Sequence, residues 1–582
     1  YYRAEIEKIA KKTKISEIYI ARKCLELAEE NSNEDLGDVT SINKKSHVGY
    51  YLISDGKTEL ISNLLNKKIS KMSKSGKSKL YIEGVSFLAV ILCSLLGWYI
   101  QIKVGYFLLA FIVFLLSIIP VKTILIKIIQ YISGKFVKPK LIPKLDFYDG
   151  IPEKYATMVV IPTIVKDKKK VNEIMDKLEV YYMANKSENL YFTLLGDCSS
   201  SKNESEDFDK EIIQAGIEKC NKLNEKYSEN SFPKFNFIYR KRTWSNGENC
   251  FLGWERKRGL LDQFNNYILN KCSDNEFYNG EDSVNNKIEI SKKLSDTSFL
   301  ENTFENIKQE FPKIKYIITL DSDTSLVLNT GLELVGAMAH ILNKPVLNEN
   351  KNLVIDGYAI MQPRVGINLL ETRKSIFTKI FSGLGGTDSY TNAISDFYFD
   401  NFEEGIFTGK GIYDLKVFSE VLKNEIPENT ILSHDLLEGS YVRCGLASDI
   451  MLMDGYPSNY KAYKTRLHRW IRGDWQIFSW VFKDRLNILS KSKILDNINR
   501  SLNEFFVLIL LIINLFVRSK TIAIISIISI LIPYILEFLN KIICKKDGEL
   551  TQRKFAKEIN GCISIFYKMI IDIALIPDKA YL

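Results

Sequence analysis

Two uncharged runs one residue apart constrain this chain most. Gly84–Ile102 is free of charge for 19 residues and Val104–Val121 for 18. At a rise of ~1.5 Å per residue, each helix nearly crosses a hydrocarbon core of ~30 Å. Only Lys103 separates them, so they form a helical hairpin. The Lys-rich flanks, Lys67–Lys79 and Lys122–Lys144, favour a membrane hairpin over one buried in a core. A second pair follows: Phe505–Val517 (13 uncharged residues) and Thr521–Leu536 (16), split by Arg518-Ser519-Lys520. Gly561–Pro577 is apolar but carries Lys568 and Asp572 at i,i+4 spacing, and suits either an interfacial helix or a further span with an ion pair. With four spans, the basic segments Lys67–Lys79, Lys122–Lys144 and Lys541–Lys557 share one side, which the positive-inside bias makes the cytosol. The large region of residues 150–500 is then cytosolic.

The remaining composition excludes several classes. The net charge of +9 is mild for 582 residues and forms no basic stripe interleaved with aromatics, so a nucleic-acid partner is not expected. Nine scattered cysteines without a C-x-x-C exclude a disulfide framework and a zinc cluster, and four histidines without H-E-x-x-H disfavour His-based zinc chemistry. The chain opens on Tyr1, as a piece of a longer protein does, and shows no cleavable signal peptide. The expected organisation is a helical cytosolic element at 1–80, a transmembrane hairpin at 81–122, an interfacial linker at 123–150, a catalytic domain at 151–500 with a surface insertion at 273–309, and a hairpin plus a C-terminal helix at 501–582.

Within 151–500, "YATMVVIPTIV" (155–165) reads as a buried parallel strand ending at Pro162-Thr163. "NLYFTLLGDCS" (189–199) is a second, with Asp197 just past its end. "FPKIKYIITLDSDTS" (311–325) is a third, ending in Asp321-Ser322-Asp323. Strands that release carboxylates at their C-terminal ends predict an open α/β sheet with its ligands bound outside those ends.

Asp-x-Asp at a strand end places two carboxylates within reach of one hard cation, although Asp is also common in plain turns. The run brushes against a haloacid-dehalogenase-like phosphatase motif but places Ser325 at its last position. In "SHDLLEG" (433–439), Asp435 or Ser433 suits a helix N-cap as well as chemistry. "YKTRLHRWIRGDWQIFSWVF" (463–482) puts Arg466, Arg469 and Trp470 on one helical face. Arginines there suit phosphate, and tryptophan suits a sugar face. An interfacial helix with Trp475 and Trp480 as lipid anchors is the plainer reading of the same stretch. The glycine clusters "FSGLGGTD" (381–388) and "FTGKGIYD" (407–414) are not phosphate-binding P-loops.

The order Asp197, Asp321-x-Asp323, Asp435, Arg466-x-x-Arg469-Trp470 resembles the processive, inverting GT-A glycosyltransferases of the cellulose-synthase type, except that Arg466 stands where that group has Gln. "HVGYYLISDGKTEL", "PKLDF", "GWERKRG", "SDFYFD", "EEGIFTGKGIYD", "SHDLLEGSYVRCGLASD" and "HRWIRGDWQ" together more closely resemble the glycosyltransferase family 84 region of cyclic β-1,2-glucan synthases. That resemblance implies a Rossmann-like GT-A domain between membrane helices. It implies a UDP-glucose donor, a growing β-glucan acceptor, Mg²⁺ or Mn²⁺, and further C-terminal carbohydrate-active domains in the full-length protein. Carried over residue by residue, Asp197 would bind uracil near Pro162 and Thr163, and Lys257 and Arg258 the nucleotide sugar. Asp321 and Asp323 would hold the metal, and Asp435 would be the general base. Arg466 and Arg469 would stabilise pyrophosphate, and Trp470 would support the acceptor sugar. A β-glycan synthase of other linkage, a haloacid-dehalogenase-like phosphohydrolase and a non-catalytic membrane scaffold are the competing readings.

Overall fold

The computed structural model describes residues 2–31, 44–68, 72–227, 232–273, 299–306, 311–368, 370–381, 396–543 and 552–582. The 381–388 glycine cluster past Phe381, most of the 273–309 insertion and residues 544–551 of the 541–557 basic loop lie outside them.

Thirteen strands are found among the described residues: β1 (Thr157–Val165), β2 (Leu190–Cys198), β3 (Phe235–Arg240), β4 (Thr243–Ser245), β5 (Cys250–Leu252), β6 (Phe299–Asn302), β7 (Tyr316–Thr319), β8 (Ser325–Leu326), β9 (Val346–Leu347), β10 (Val354–Asp356), β11 (Ile360–Ile367), β12 (Gly411–Asp414) and β13 (Cys444–Asp454). Nine make one mixed sheet in the order β6-β3-β2-β1-β7-β12-β11-β13-β8. The predicted α/β class is therefore what forms. The pairs β1·β2, β1·β7, β2·β3 and β11·β13 are parallel, while β6, β12 and β8 run against their neighbours. Strand β6 falls inside the stretch read from composition as a surface insertion; Phe299–Asn302 instead pairs with β3 at the sheet edge.

β1 shows why this sheet needs helices on both faces. Val159, Ile161 and Val165 point into one core, while Met158 and Val160 point into the other, so neither face can meet water. Lys168–Ala184, Asp207–Tyr227 and Thr330–Ala339 cover the first face; Arg256–Ser273, Leu415–Leu422 and Asp435–Tyr441 cover the second. Pro162 and Thr163 lie inside β1, not in a turn after it, because the strand keeps pairing with β2 as far as Val165.

The N-terminal helices Tyr2–Thr13, Glu17–Glu30, Val48–Ile53 and Lys57–Leu65 close a small core of their own around Ile9, Ile20, Leu27, Tyr51 and Leu60. Lys44 ties this element to Asp356 at 2.7 Å.

Four helices among the described residues are long and apolar enough to cross a bilayer: Lys74–Val104, Phe107–Phe136, Ile488–Val517 and the 520–539 part of Lys520–Ile543. Lys103 sits in the last helical turn, and the chain reverses at Gly105, whose φ of 80° suits a residue without Cβ. Its ammonium donates to the Arg518 carbonyl at 2.7 Å, so both hairpin turns lie at the same end. Only the second half of the Ile488–Val517 helix is apolar. Its first half docks on the sheet domain through the buried Lys493–Glu404 pair at 3.0 Å and through Asn497 on Asp474 at 2.9 Å. In Gln552–Ala574, Asp572 pairs with Lys579 and Tyr534, whereas Lys568 lies over the rings of Phe381 and Tyr534. The predicted Lys568–Asp572 partnership gives way to these tertiary contacts.

Candidate active site

The six co-directional strands β1, β2, β3, β7, β11 and β13 deliver their carboxyl ends to one edge of the sheet. Antiparallel β12 brings its amino end there too, which is how Gly409 and Lys410 meet the residues that follow β7.

Asp321 is the hub. Its Oδ1 lies 2.6 Å from Lys257 Nζ, and its Oδ2 lies 3.3 Å from Lys410 Nζ. Lys410 also pairs with Asp454, the last residue of β13, and Asp454 accepts from Thr324 Oγ1 at 2.6 Å. Burial pushes the Asp321 carboxyl up, but the two ammonium groups outweigh it and hold the group far below the usual carboxylate range. Asp323, more exposed, leans on Gly455; desolvation and the Asp454 carboxylate push its pKa up. Lys177 holds the intervening turn by donating to the Ser322 carbonyl at 2.6 Å.

Asp435 is the first residue of the Asp435–Tyr441 helix. The cap position is His434, and no side chain caps the helix end, so Asp435 is not spent on the capping role its motif also allowed. Its carboxyl packs on Gly409, where an added Cβ would stand 2.8 Å from Oδ1 and where φ is +81°. Both facts demand glycine. The Gly409 carbonyl accepts from Lys257 at 3.0 Å, which joins Asp435 to the Asp321 cluster. Burial raises the Asp435 pKa, against the pull of the neighbouring His434 and Lys257 charges. His434 Nδ1 lies 2.8 Å from Glu438 Oε1 and 3.6 Å from Asp435 Oδ1.

The Tyr460–Gln476 helix closes the cleft. Asn459 caps it by accepting from Ala462 N–H. Gly473 lets it approach so closely that a Cβ would stand 2.5 Å from Ser433 Cβ, and Gln476 accepts from the Leu432 N–H at 2.8 Å. The helix is thereby seated on the Asp435 loop. The Arg466 guanidinium lies over the Trp470 ring at 4.7 Å, and its charge acts on Asp323. Arg466 and Arg469 line an open groove with Asn459, Lys461, Ala462 and Thr465. Trp475 is exposed, but Trp480 is buried in the domain core and cannot anchor in lipid.

Asp197 lies inside β2, buried, with its Oδ1 accepting from Arg240 Nε at 3.0 Å and Nη2 at 2.8 Å. Arg240 also donates to the carbonyls of Trp254 (2.6 Å) and Arg256 (3.0 Å), clamping "GWERKRG" onto the sheet edge. Gly253 is required there, since a Cβ would fall 2.0 Å from Asp197 Oδ1. Glu255 and Arg256 adopt φ of 52° and 50°, which sends Lys257 towards Asp321. Arg258 goes elsewhere, to Glu255 at 2.6 Å and the Ile426 carbonyl at 3.3 Å.

The structure thus gathers Lys257, Asp321, Asp323, Asp435, Arg466 and Trp470, and it adds Arg240, Lys410, His434, Glu438 and Asp454, which the motif reading did not single out. Asp454 carried a usable signal, an Asp at the end of an apolar strand like Asp321. Lys410 carried none, because its pairing depends on the antiparallel insertion of β12.

No family model matches the chain. Over 370 residues, 63% of this chain, it is 37% identical to the cyclic beta-(1,2)-glucan synthase NdvB of Rhizobium meliloti (strain 1021). This supports the glucan-synthase family. The matched part spans 12% of that relative's length.

Proposed function

We propose that this chain is a membrane-bound, inverting glycosyltransferase that transfers glucose from UDP-glucose to a growing β-1,2-glucan. The observation that carries the reading is the joining of Asp435 to Asp321 through Lys257 and Gly409, with Asp323 and Arg466 electrostatically coupled beside it and Trp470 under the Arg466 guanidinium. Asp435 would accept the proton of the acceptor hydroxyl as it attacks the anomeric carbon. Direct displacement inverts the centre and needs one base only. Lys257, Lys410, Arg466 and Arg469 supply positive charge for the departing diphosphate.

A divalent cation suits the donor set. The carboxylates of Asp321, Asp323 and Asp454 offer hard oxygen ligands, with Lys257 and Lys410 engaging Asp321 and Lys410 also engaging Asp454. Asp323 and Asp321 would hold Mg²⁺ or Mn²⁺, which neutralises leaving-group charge when bound. Trp470 would support the acceptor sugar. Asp197 and the adjoining Pro162 and Thr163 would flank the base of the nucleotide, and Arg258 would act through Glu255 on the same loop. A phosphohydrolase using Asp321 as nucleophile leaves Arg466 and Trp470 without a role. The four spans and their basic flanks support a cytoplasmic-membrane location with the sheet domain in the cytosol.

The test is incubation of membranes carrying this chain with radiolabelled UDP-glucose and Mg²⁺ or Mn²⁺, followed by linkage analysis. β-1,2-linked glucan is expected; a different linkage, or free phosphate from aryl phosphates, refutes the reading. Asp435→Asn should abolish transfer and leave UDP binding largely intact.

A further inference from the structure

His434 and Glu438 lie beside the proposed base yet take no part in the transfer just described. His434 is 8% exposed and Glu438 6%, so both are shielded from solvent within one helical turn. The pair is built by the helix start: the Glu438 N–H donates to the His434 carbonyl at 2.9 Å, which stacks the two side chains at i,i+4. The loop carrying His434 cannot swing away, because Gly473 and Gln476 of the neighbouring helix pin Ser433 and Leu432.

We propose that His434 is a positioning residue for Asp435: seated between Glu438 and Asp435, its imidazolium holds the Asp435 carboxylate ionised and aimed past Gly409 into the cleft. This rests on the glycosyltransferase reading above.

Two further observations support it. Burial opposes charge on His434, but Glu438 and then Asp435 outweigh it and raise its pKa, which favours the cationic ring. Without a local cation, burial of Asp435 would favour the neutral acid, which cannot take a proton. The charged groups facing the pair are Glu438 on its own helix, Lys257 from the Arg256–Ser273 helix and Asp321 from the loop after β7. Lys257 alone is an inadequate counter-ion because Asp321 already engages it at 2.6 Å. The ligand atoms of His434, Asp435 and Glu438 lie within 4.8 Å of one another, a spacing that also suits a cation, but the Lys257 ammonium acting on Asp435 opposes a second positive charge there.

The sign follows directly. Asp435 works ionised, so activity rises with pH through its pKa, and removing the imidazolium moves that acid limb upward. The experiment compares the pH profile of glucosyl transfer for the wild-type chain in membranes with those of His434→Gln and His434→Lys, with UDP binding measured in parallel. His434→Gln should shift the acid limb up by about one unit or more, with kcat reduced below it and KM for UDP-glucose little changed. His434→Lys, which keeps a cation, should restore the limb towards the wild-type position. An unmoved limb in His434→Gln overturns the proposal, as does a lysine variant that behaves like the glutamine one. Loss of UDP binding in both variants also overturns it, because His434 then serves the fold. A wild-type chain that transfers no sugar sinks the transferase reading and this inference together, whereas an active wild type with an unmoved limb sinks the inference alone.

Discussion

Replacing Arg240 with methionine tests whether its clamp on the Gly253–Gly259 loop is needed for a stable sheet edge. Arg240 is 1% exposed and Asp197 3%, so neither ion can turn to water when its partner is lost. The change leaves the Asp197 carboxylate buried without its counter-ion, at a cost of ~3–5 kcal/mol. The carbonyls of Trp254 and Arg256 lose charged donors at 2.6 and 3.0 Å, adding roughly 1 kcal/mol. A total of about 4–6 kcal/mol corresponds to a fall in Tm of roughly 8–24 °C, at about 2–4 °C per kcal/mol for a large domain. The assay is thermal unfolding of the detergent-purified chain, followed by tryptophan fluorescence at one fixed scan rate, since a membrane protein unfolds irreversibly. The double variant Arg240→Met with Asp197→Leu should recover most of the loss, because an apolar pair of similar bulk leaves no buried charge. A single variant within 2 °C of the wild type (roughly 1 kcal/mol), or a double variant no better than the single, refutes the reasoning.

Three other outcomes are expected. Gly409→Ala forces a side chain into φ +81° and against the Asp435 carboxyl, so kcat should fall at least tenfold while the ~1–2 kcal/mol of backbone strain lowers Tm only modestly; initial rates with thermal unfolding check this. Asp323→Ala should lose the divalent-cation enhancement of UDP binding, measured by calorimetry with and without Mn²⁺, and an unchanged metal requirement counts against that ligand. Lys493→Met strands Glu404 in the seam between the sheet domain and the third span, so unfolding should come earlier by ~3–5 kcal/mol, and an unshifted transition shows that the seam does not depend on the pair.

Much of the architecture was legible because it rests on local regularities. An uncharged run of 19 residues has few solutions, and a β-branched run such as 157–165 is comfortable only where both faces are covered. The Arg466–Trp470 face followed from helical spacing alone and holds, with the guanidinium over the indole. The less legible features depended on partners distant in the chain. Residues 299–302 look like surface, yet their backbone completes the edge of the sheet beside β3. Trp480 has the composition of an interfacial anchor but fills a core, and Asp572 prefers Lys579 and Tyr534 to the cation one turn away.

Taken alone, the sequence determined that this chain has apolar hairpins long enough to cross a bilayer around an α/β domain with carboxylates at the ends of its strands, because hydrophobic periodicity and strand propensity act over a few neighbouring residues. Tertiary structure decided which cation faces which carboxylate. Lys257 and Lys410 share Asp321, Arg240 holds Asp197, and His434 stands between Glu438 and Asp435. Charge pairing depends on distances of a few ångströms between residues far apart in the chain, and those distances exist only once β12 has run antiparallel into the sheet and the Tyr460–Gln476 helix has settled on the loop before Asp435.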